Sequence, residues 1–253
     1  MRVRTSPTVV PQLDEAMRSN PAADGLICDE LSLSCEGRDV PVAVWRSKDF
    51  NGPRPLLLLG HGGSQHKTAE LVLQLVRPFV FRHGYIAMAV DGPIHGARRT
   101  ALVTGPERQR EFLAMWALDN RVDQMVGDWR VALDHVLAHE DVDQDRVAWC
   151  GVSMGTAYGI PLLAADRRIS AAVIGMWGSD HPNSEVLAQL APQVGCRTLF
   201  QMKWDDQIFT RAGQFDLFDR LGAKRKWLKV YMGDHAPLNA DQVRDIESFL
   251  LDI

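Results

Sequence analysis

Short, continuous apolar runs alternate along this chain with longer segments whose apolar residues recur at helical spacing. The run at residues 56–59 contains only leucine and ends at Gly60, and the run at residues 147–150 ends in the same way at Gly151. Such runs are typical of strands that are buried on both faces. Strands that alternate with helices predict an α/β fold, with a mostly parallel central sheet, right-handed crossovers and helices on both faces.

The same patterns predict the remaining elements. Further strands are predicted at residues 40–44, 86–90, 171–176, 198–202 and 227–231, and amphipathic helices at residues 71–80, 122–137 and 243–253. Pro78 should kink the first of these helices or end it early. Residues 1–25 are expected to form an N-terminal arm. Residues 98–121 are expected to form a small insertion that is either a cap over the ligand pocket or a surface helix, and all 253 residues then make one domain.

Charge and composition exclude several classes of partner. The net charge of −4 comes without a basic block of the kind that binds nucleic acid, and no segment reaches the roughly 18 apolar residues of a membrane-spanning helix. The polar segment at residues 1–20 lacks the apolar core of a secretory signal. The four cysteines have no metal-binding spacing, which favours reduced thiols in a cytoplasmic protein over a Cys28–Cys35 bridge. The sequence leaves the oligomeric state open, a homo-oligomer included.

The sequence Gly151-Val152-Ser153-Met154-Gly155 follows one predicted strand and precedes a segment of small, helix-forming residues. In a strand–turn–helix context, G-x-S-x-G predicts a sharp turn that holds the serine in a strained conformation above the sheet. Glycines two residues before and after the serine remove side chains that would collide with neighbouring elements. Ser153 is therefore predicted to be a nucleophile.

A glycine-rich loop, Gly60-His61-Gly62-Gly63-Ser64, follows the leucine run. Acyl transfer needs two N–H groups aimed at the developing oxyanion. One is predicted to come from Met154, directly after the serine, and the other from Gly63, with Ser64 as the alternative. A phosphate-binding loop does not fit, because Gln65 stands where the G-x-G-x-x-G pattern needs glycine. His61 is expected to be structural.

Two further motifs follow the predicted strands at residues 198–202 and 227–231. The first contains Asp205 and Asp206, and the second contains His235, the only histidine C-terminal to these aspartates. A carboxylate on a histidine sets its tautomer and stabilises the imidazolium that forms when the histidine takes a proton. The residues alone leave the choice between Asp205 and Asp206 open. Ligands of parallel sheets bind beyond the carboxyl ends of the strands, where all four motifs fall.

Together, GVSMG, the HGG loop, WDDQIF and GDHAP resemble the α/β-hydrolase superfamily, from about residue 40 to the end of the chain. The order serine, aspartate, histidine is the order of that superfamily. Within it the chain is most similar to dienelactone-hydrolase-like and prolyl-oligopeptidase-like serine esterases. Relatives with a similar pair of aspartates generally use the first, which implies Asp205 as the acid. The stretch from Asp91 to Gly96 resembles a structural loop of the superfamily, which implies no catalytic role for Asp91 or His95.

The resemblance implies a serine hydrolase that cleaves a small carboxylic ester through an acyl-enzyme, with Ser153, Asp205 and His235 as triad and no metal or organic cofactor. Dienelactone hydrolases proper have a cysteine nucleophile, so Ser153 favours a general esterase. A peptidase or lactone hydrolase on the same fold is an alternative, as is a catalytically silent binding protein. Trp177 and Trp204 follow strand ends and are candidates for the walls of the pocket.

Overall fold

The computed structural model describes residues 25–100 and 105–252, so the predicted N-terminal arm lies almost entirely outside the described residues. Eight strands of the described residues form one sheet. They are β1 (Leu26–Cys35), β2 (Arg38–Ser47), β3 (Arg54–Leu59), β4 (Ile86–Val90), β5 (Val142–Cys150), β6 (Ile169–Gly175), β7 (Arg197–Lys203) and β8 (Lys226–Tyr231).

The strand order is β1-β2-β4-β3-β5-β6-β7-β8. β1 pairs antiparallel with β2, and β2 pairs antiparallel with β4. Every other neighbouring pair is parallel. The predicted α/β fold with a mostly parallel sheet is therefore confirmed, and the carboxyl ends of β3 to β8 lie along one edge of the sheet.

Helices cover both faces of the sheet. They are α1 (Glu70–Val76), α2 (Gly105–Trp116), α3 (Arg121–His139), α4 (Met154–Ala165), α5 (Glu185–Leu190), α6 (Arg211–Arg220) and α7 (Ala240–Leu251). α1 ends before Pro78, as predicted, and the chain continues as a π-helical stretch over Arg77–Arg82.

Alternate side chains of the central strands belong to different cores. Leu56 and Leu58 of β3 pack with buried residues of α3 and α4, whereas Leu57 and Leu59 pack with those of α1 and α7. Each of these four leucines is at most 1% exposed. Burial on both faces explains why the central strands are continuous apolar runs in the sequence.

The sequence patterns missed β1 and the short helices α5 and α6. β1 alternates exposed residues with buried or partly buried ones along the edge of the sheet, and the charged residue Asp29 occupies one of the partly buried positions. Its pattern is therefore much weaker than that of a central strand. The predicted closing helix is α7, which begins at Ala240 and carries a capping box between Asn239 and Gln242.

The predicted insertion at residues 98–121 contains α2, of which only Met115 and Trp116 are buried. Trp116 donates a hydrogen bond from Nε1 to the carbonyl oxygen of Pro182, in the loop that follows β6 (3.1 Å). α2 therefore lies on that loop at the carboxyl end of the sheet. The assignment of the whole chain to one domain stays a prediction.

The cysteines and the helices of the structure bear on two expectations from the sequence composition. Cys28, Cys35, Cys150 and Cys196 are all free thiols, so the alternative of a Cys28–Cys35 bridge is not realised. Within the described ranges, no helix is long and apolar enough to cross a membrane.

Gly159 provides a test of the packing beneath α4. A Cβ atom at this position would lie 2.5 Å from Nε1 of Trp149. Trp149 is fully buried, and its ring packs edge-on against Trp129 (4.7 Å between centroids). Alanine normally stabilises a helix by about 1 kcal/mol relative to glycine, but overpacking a filled core costs about 1–3 kcal/mol.

We therefore expect Gly159→Ala to lower the free energy of unfolding by up to about 2 kcal/mol in urea denaturation. Gly105→Ala is the matched control, because a Cβ atom on this exposed helical glycine meets nothing within 4 Å. The control should match wild type or be more stable by up to about 1 kcal/mol, because it gains helix propensity without a clash. A stabilised Gly159→Ala protein would contradict the packing described for Trp149.

Candidate active site

Ser153 lies in a sharp turn between β5 and α4. Its backbone has φ 57° and ψ −123°, a left-handed conformation that costs a non-glycine residue about 1–3 kcal/mol. Its N–H donates to the carbonyl oxygen of Gly175, at the end of β6 (2.9 Å). The neighbouring strand therefore holds the serine in the strained turn that the sequence predicts.

The glycines on either side of Ser153 are required by the close approach of three backbone segments. A Cβ atom on Gly151 would lie 3.0 Å from Cα of Gly155 and 3.1 Å from Cα of Gly60. A Cβ atom on Gly155 would lie 2.9 Å from the carbonyl oxygen of Gly60. The start of α4 therefore packs directly on the backbone that leaves β3, and no side chain fits between them.

Thr156 fixes the same turn through its hydroxyl group, a role that the sequence pattern did not predict. Its buried hydroxyl donates to the carbonyl oxygen of Gly175 (2.5 Å) and accepts from the N–H of Gly175 (2.7 Å). Gly175 is also the acceptor for Ser153. The only signal in the sequence was a hydroxyl residue among small ones three positions after the serine, which looks like an ordinary helix residue.

His235 lies in the loop between β8 and α7 and reaches Ser153. Its Nε2 atom is 3.1 Å from Oγ of Ser153, and its Nδ1 atom is 2.8 Å from Oδ2 of Asp206. The N–H of His235 donates to Oε1 of Gln207 (2.9 Å), which ties this loop to the loop after β7. Serine, imidazole and carboxylate thus form a continuous chain of hydrogen bonds, the arrangement that lets a histidine take the proton of a serine.

Asp206 accepts hydrogen bonds on both carboxylate oxygens. Oδ1 accepts from the N–H groups of Ile208 and Phe209 (2.9 Å each), which leaves Oδ2 for His235. Burial raises the pKa of the Asp206 carboxyl, but the hydrogen bonds from His235 and the two N–H groups outweigh burial and hold this pKa below its usual range. Asp206 is therefore ionised at neutral pH.

The structure places Asp206, and not the expected Asp205, on His235. Oδ2 of Asp205 accepts from the N–H of Gly233 (3.1 Å), whereas Nδ1 of His235 is hydrogen-bonded to Asp206. The N–H groups of Trp204 and Asp205 donate to the carbonyl oxygens of Tyr231 and Gly233, so the pairing of β7 with β8 extends through Asp205. The chain turns inward only at Asp206, and this turn decides which carboxylate meets the histidine.

Gly63 and Met154, the predicted oxyanion donors, lie side by side. A Cβ atom on Gly63 would be 3.9 Å from Cβ of Met154. Gly63 and Ser64 are the central residues of a turn that Gln65 closes by donating its N–H to the carbonyl oxygen of Gly62 (3.0 Å). Within the described ranges, the N–H groups of Gly63 and Met154 donate to no backbone carbonyl. Their use as oxyanion donors stays a prediction.

His61 is buried and bonded through both ring nitrogens. Nε2 accepts from the N–H of Gly92 (2.9 Å), so Nδ1 carries the proton and donates to the carbonyl oxygen of Gly62 (2.9 Å). Burial, together with the neighbouring His95, lowers the pKa of His61 to about 3, which keeps the ring neutral. This arrangement agrees with the structural role expected for His61.

Asp91 has no solvent exposure and lies between two loops. Its carboxylate accepts from the N–H of Lys67 (2.8 Å) and from the N–H of Ala97 (2.9 Å), and it forms an ion pair with Nζ of Lys67 (3.3 Å). These bonds hold the loop after β3 against the loop after β4, so Asp91 supports the site without reaching the serine.

Aromatic rings pack beside His235. Phe209 lies 5.3 Å from the His235 ring, centroid to centroid, and Trp177 lies 4.5 Å from Phe209. Phe112 of α2 lies edge-on to Trp177 (6.3 Å), so α2 joins this aromatic wall. Trp177 is 2% exposed and lies on the buried side of this aromatic wall, whereas Trp204 is 38% exposed in the loop after β7. Phe112 lies in the predicted insertion and Phe209 ends the WDDQIF motif, but the sequence pattern assigned neither residue a place in the wall of the pocket.

Metal-binding side chains are not grouped in this site. Among residues 25–100 and 105–252, no three or more histidine, cysteine, aspartate and glutamate side chains could together hold a metal ion. The expected absence of a metal or organic cofactor stays a prediction.

Neither a protein-family model nor a curated protein matches the sequence. Solved structures do match. A cold-adapted esterase from an Arctic intertidal metagenomic library, bound to polyethylene glycol, is 34% identical with a TM-score of 0.76, and the match covers 89% of this chain and 94% of that chain.

Two more distant structures share the fold. An acetyl xylan esterase from Paenibacillus sp. R4 is 17% identical (TM-score 0.74, covering 99% of this chain and 88% of that chain). A putative dienelactone hydrolase from Klebsiella pneumoniae subsp. pneumoniae is 18% identical (TM-score 0.72, covering 90% and 99%). On the fold, the order of its motifs and its identity to the Arctic protein, this chain belongs to the esterases of the α/β-hydrolase superfamily.

Proposed function

We propose that this protein is a serine esterase that cleaves a small carboxylic ester through an acyl-enzyme, with Ser153, His235 and Asp206 as its catalytic triad. The observation that carries the proposal is the hydrogen-bonded chain from Oγ of Ser153 to Nε2 of His235 (3.1 Å) and from Nδ1 of His235 to Asp206 (2.8 Å). Ser153, at one end of this series of hydrogen bonds, also has the strained backbone conformation.

In the proposed first step, His235 takes the proton of Ser153 as Oγ attacks the ester carbonyl carbon. Asp206 holds the Nδ1–H tautomer of His235, so that Nε2 is free to accept the proton, and its negative charge stabilises the imidazolium. The N–H groups of Gly63 and Met154 donate to the oxyanion of the tetrahedral intermediate. His235 then gives the proton to the departing alcohol.

In the second step, a water molecule loses a proton to His235 and attacks the acyl group on Ser153. The acid product leaves, and the proton returns to Oγ of Ser153. Phe209 packs against the His235 ring, whose side chain is 15% exposed. The same groups thus serve both steps, and the protein's own side chains supply every proton transfer.

The esterase relative favours an ester over the peptide and lactone alternatives. A catalytically silent binding protein is disfavoured, because burying the Asp206 carboxylate and straining Ser153 both cost free energy that a binding protein has no reason to retain. The four free thiols are compatible with the proposed cytoplasmic location.

The first test is covalent labelling of the serine. A fluorophosphonate probe should label the protein once, on the tryptic peptide that contains Ser153, because only an activated hydroxyl attacks the phosphorus atom at neutral pH. Mass spectrometry identifies the labelled residue. Ser153→Ala is the control, and equal labelling of this variant and of wild type would refute the assignment of the nucleophile.

The second test distinguishes the two aspartates. In Asp206→Asn, the amide NH₂ group replaces Oδ2 and faces Nδ1 of His235, which forces the wrong tautomer, and such a change can cost about 10⁴-fold in kcat. In Asp205→Asn, the amide oxygen can still accept from the N–H of Gly233, so kcat should fall by less than about tenfold.

The two isosteric variants are compared by steady-state hydrolysis of p-nitrophenyl acetate, with their thermal unfolding measured alongside. The order expected is wild type, then Asp205→Asn, then Asp206→Asn by a wide margin. A larger loss in Asp205→Asn would restore Asp205 as the acid, and small losses in both would remove the acid from this loop.

A further inference from the structure

The loop after β4 holds His95 between two residues in the left-handed conformation. Ile94 has φ 59°, which is unfavourable for a β-branched side chain. Gly96 has φ 52°, and a Cβ atom there would lie 2.2 Å from Oδ1 of Asp91, so no other residue fits. Strain of this kind persists where the surrounding structure imposes it, and it often marks a functional position.

The imidazole of His95 contacts backbone through both nitrogens. Nε2 lies 2.7 Å from the carbonyl oxygen of Gly63, and Nδ1 lies 2.6 Å from that of Pro93. The residue is 1% exposed. Burial lowers the pKa of His95, so the ring is neutral and carries one proton. Because a carbonyl oxygen only accepts, that proton serves either Gly63 or Pro93, and a hydrogen bond to Gly63 requires it on Nε2.

Gly63 is held by two imidazole rings, one on each of its peptide groups. His61 donates to the carbonyl oxygen of Gly62, which orients the peptide plane that contains the N–H of Gly63. His95 lies at the carbonyl oxygen of Gly63 itself and orients the following plane. The two rings lie 5.1 Å apart, centroid to centroid. A glycine has more backbone freedom than any other residue, so both contacts are needed to define its φ and ψ.

We propose that His95 is a positioning residue for the oxyanion hole, which it serves by donating a hydrogen bond from Nε2 to the carbonyl oxygen of Gly63. This inference rests on the proposed function. His95 touches no reacting atom; it fixes the turn from Gly62 to Gln65 against the start of α4, so that the N–H groups of Gly63 and Met154 converge on one point. Donors that are aimed in advance stabilise a developing charge without reorganisation.

Two amide variants separate the two backbone contacts of His95. The side-chain nitrogen of glutamine takes nearly the place of Nε2, and that of asparagine takes nearly the place of Nδ1. His95→Gln can therefore still donate to the carbonyl oxygen of Gly63, whereas His95→Asn can donate only to that of Pro93. Both variants replace a buried ring by an amide, so each controls for the loss of packing in the other.

We expect His95→Asn to lower kcat for p-nitrophenyl acetate by about 10–100-fold, less than the 10²–10³-fold cost of deleting an oxyanion donor. KM should change by less than about twofold, because the oxyanion forms only in the transition state. Affinity for a trifluoromethyl ketone, which mimics the tetrahedral intermediate, should fall by the same factor as kcat/KM. His95→Gln should retain most of the activity, and the acid limb of the pH profile should keep its position in both variants.

Equal activity of His95→Asn and His95→Gln would overturn the proposal, as would a loss that appears only in KM. Wild-type turnover and labelling at Ser153 report on the proposed function separately, since neither depends on these variants. If neither variant folds, ¹⁵N-histidine NMR of wild type decides: a proton on Nε2 of His95 supports the proposal, and a proton on Nδ1 alone overturns it.

Discussion

The contact on which the site depends is the close packing of three backbone segments without side chains between them. The backbone at Gly60, where β3 ends, lies directly against Gly151 and Gly155, which flank Ser153 at the end of β5. Because parallel β3 and β5 are neighbours in the sheet, this approach is built into the fold. It places the turn from Gly62 to Gln65 next to the serine, and it forces Ser153 into a conformation that hydrogen bonds to Gly175 must maintain.

The rest of the site is a set of loops that are each fixed by buried polar groups. Asp206 has its carboxylate oxygens occupied by two N–H groups and by His235, so it can stay ionised without solvent. Asp91 ties the loop after β3 to the loop after β4. His61 and His95 contact the carbonyl oxygens of Gly62 and Gly63 and so connect the turn at these glycines to the same loops. The rigid sheet sets the distances between these loops, and the buried polar groups set the orientations of the loops.

The sequence predicted those parts of the structure where burial or backbone geometry permits only one arrangement. β3 and β4 are buried on both faces and read as continuous apolar runs, and Ser153 and His235 could be placed because each follows a strand that could be recognised. Asp205 and Asp206 could not be separated, because the residue at which the chain turns inward depends on how far β7 and β8 pair. Thr156 and His95 act through backbone groups of segments distant in the chain, and such hydrogen bonds leave no periodic pattern.

The central claim is that Ser153 carries the acyl group during turnover. Rapid mixing with excess p-nitrophenyl acetate, acid quenching at successive times and mass spectrometry of the digested protein test it directly. We expect an acetyl group to appear on Oγ of Ser153 early in the reaction and to disappear when substrate is exhausted. Acetylation of another side chain in its place, or full turnover while the Ser153 peptide stays unmodified at every quench time, would contradict it.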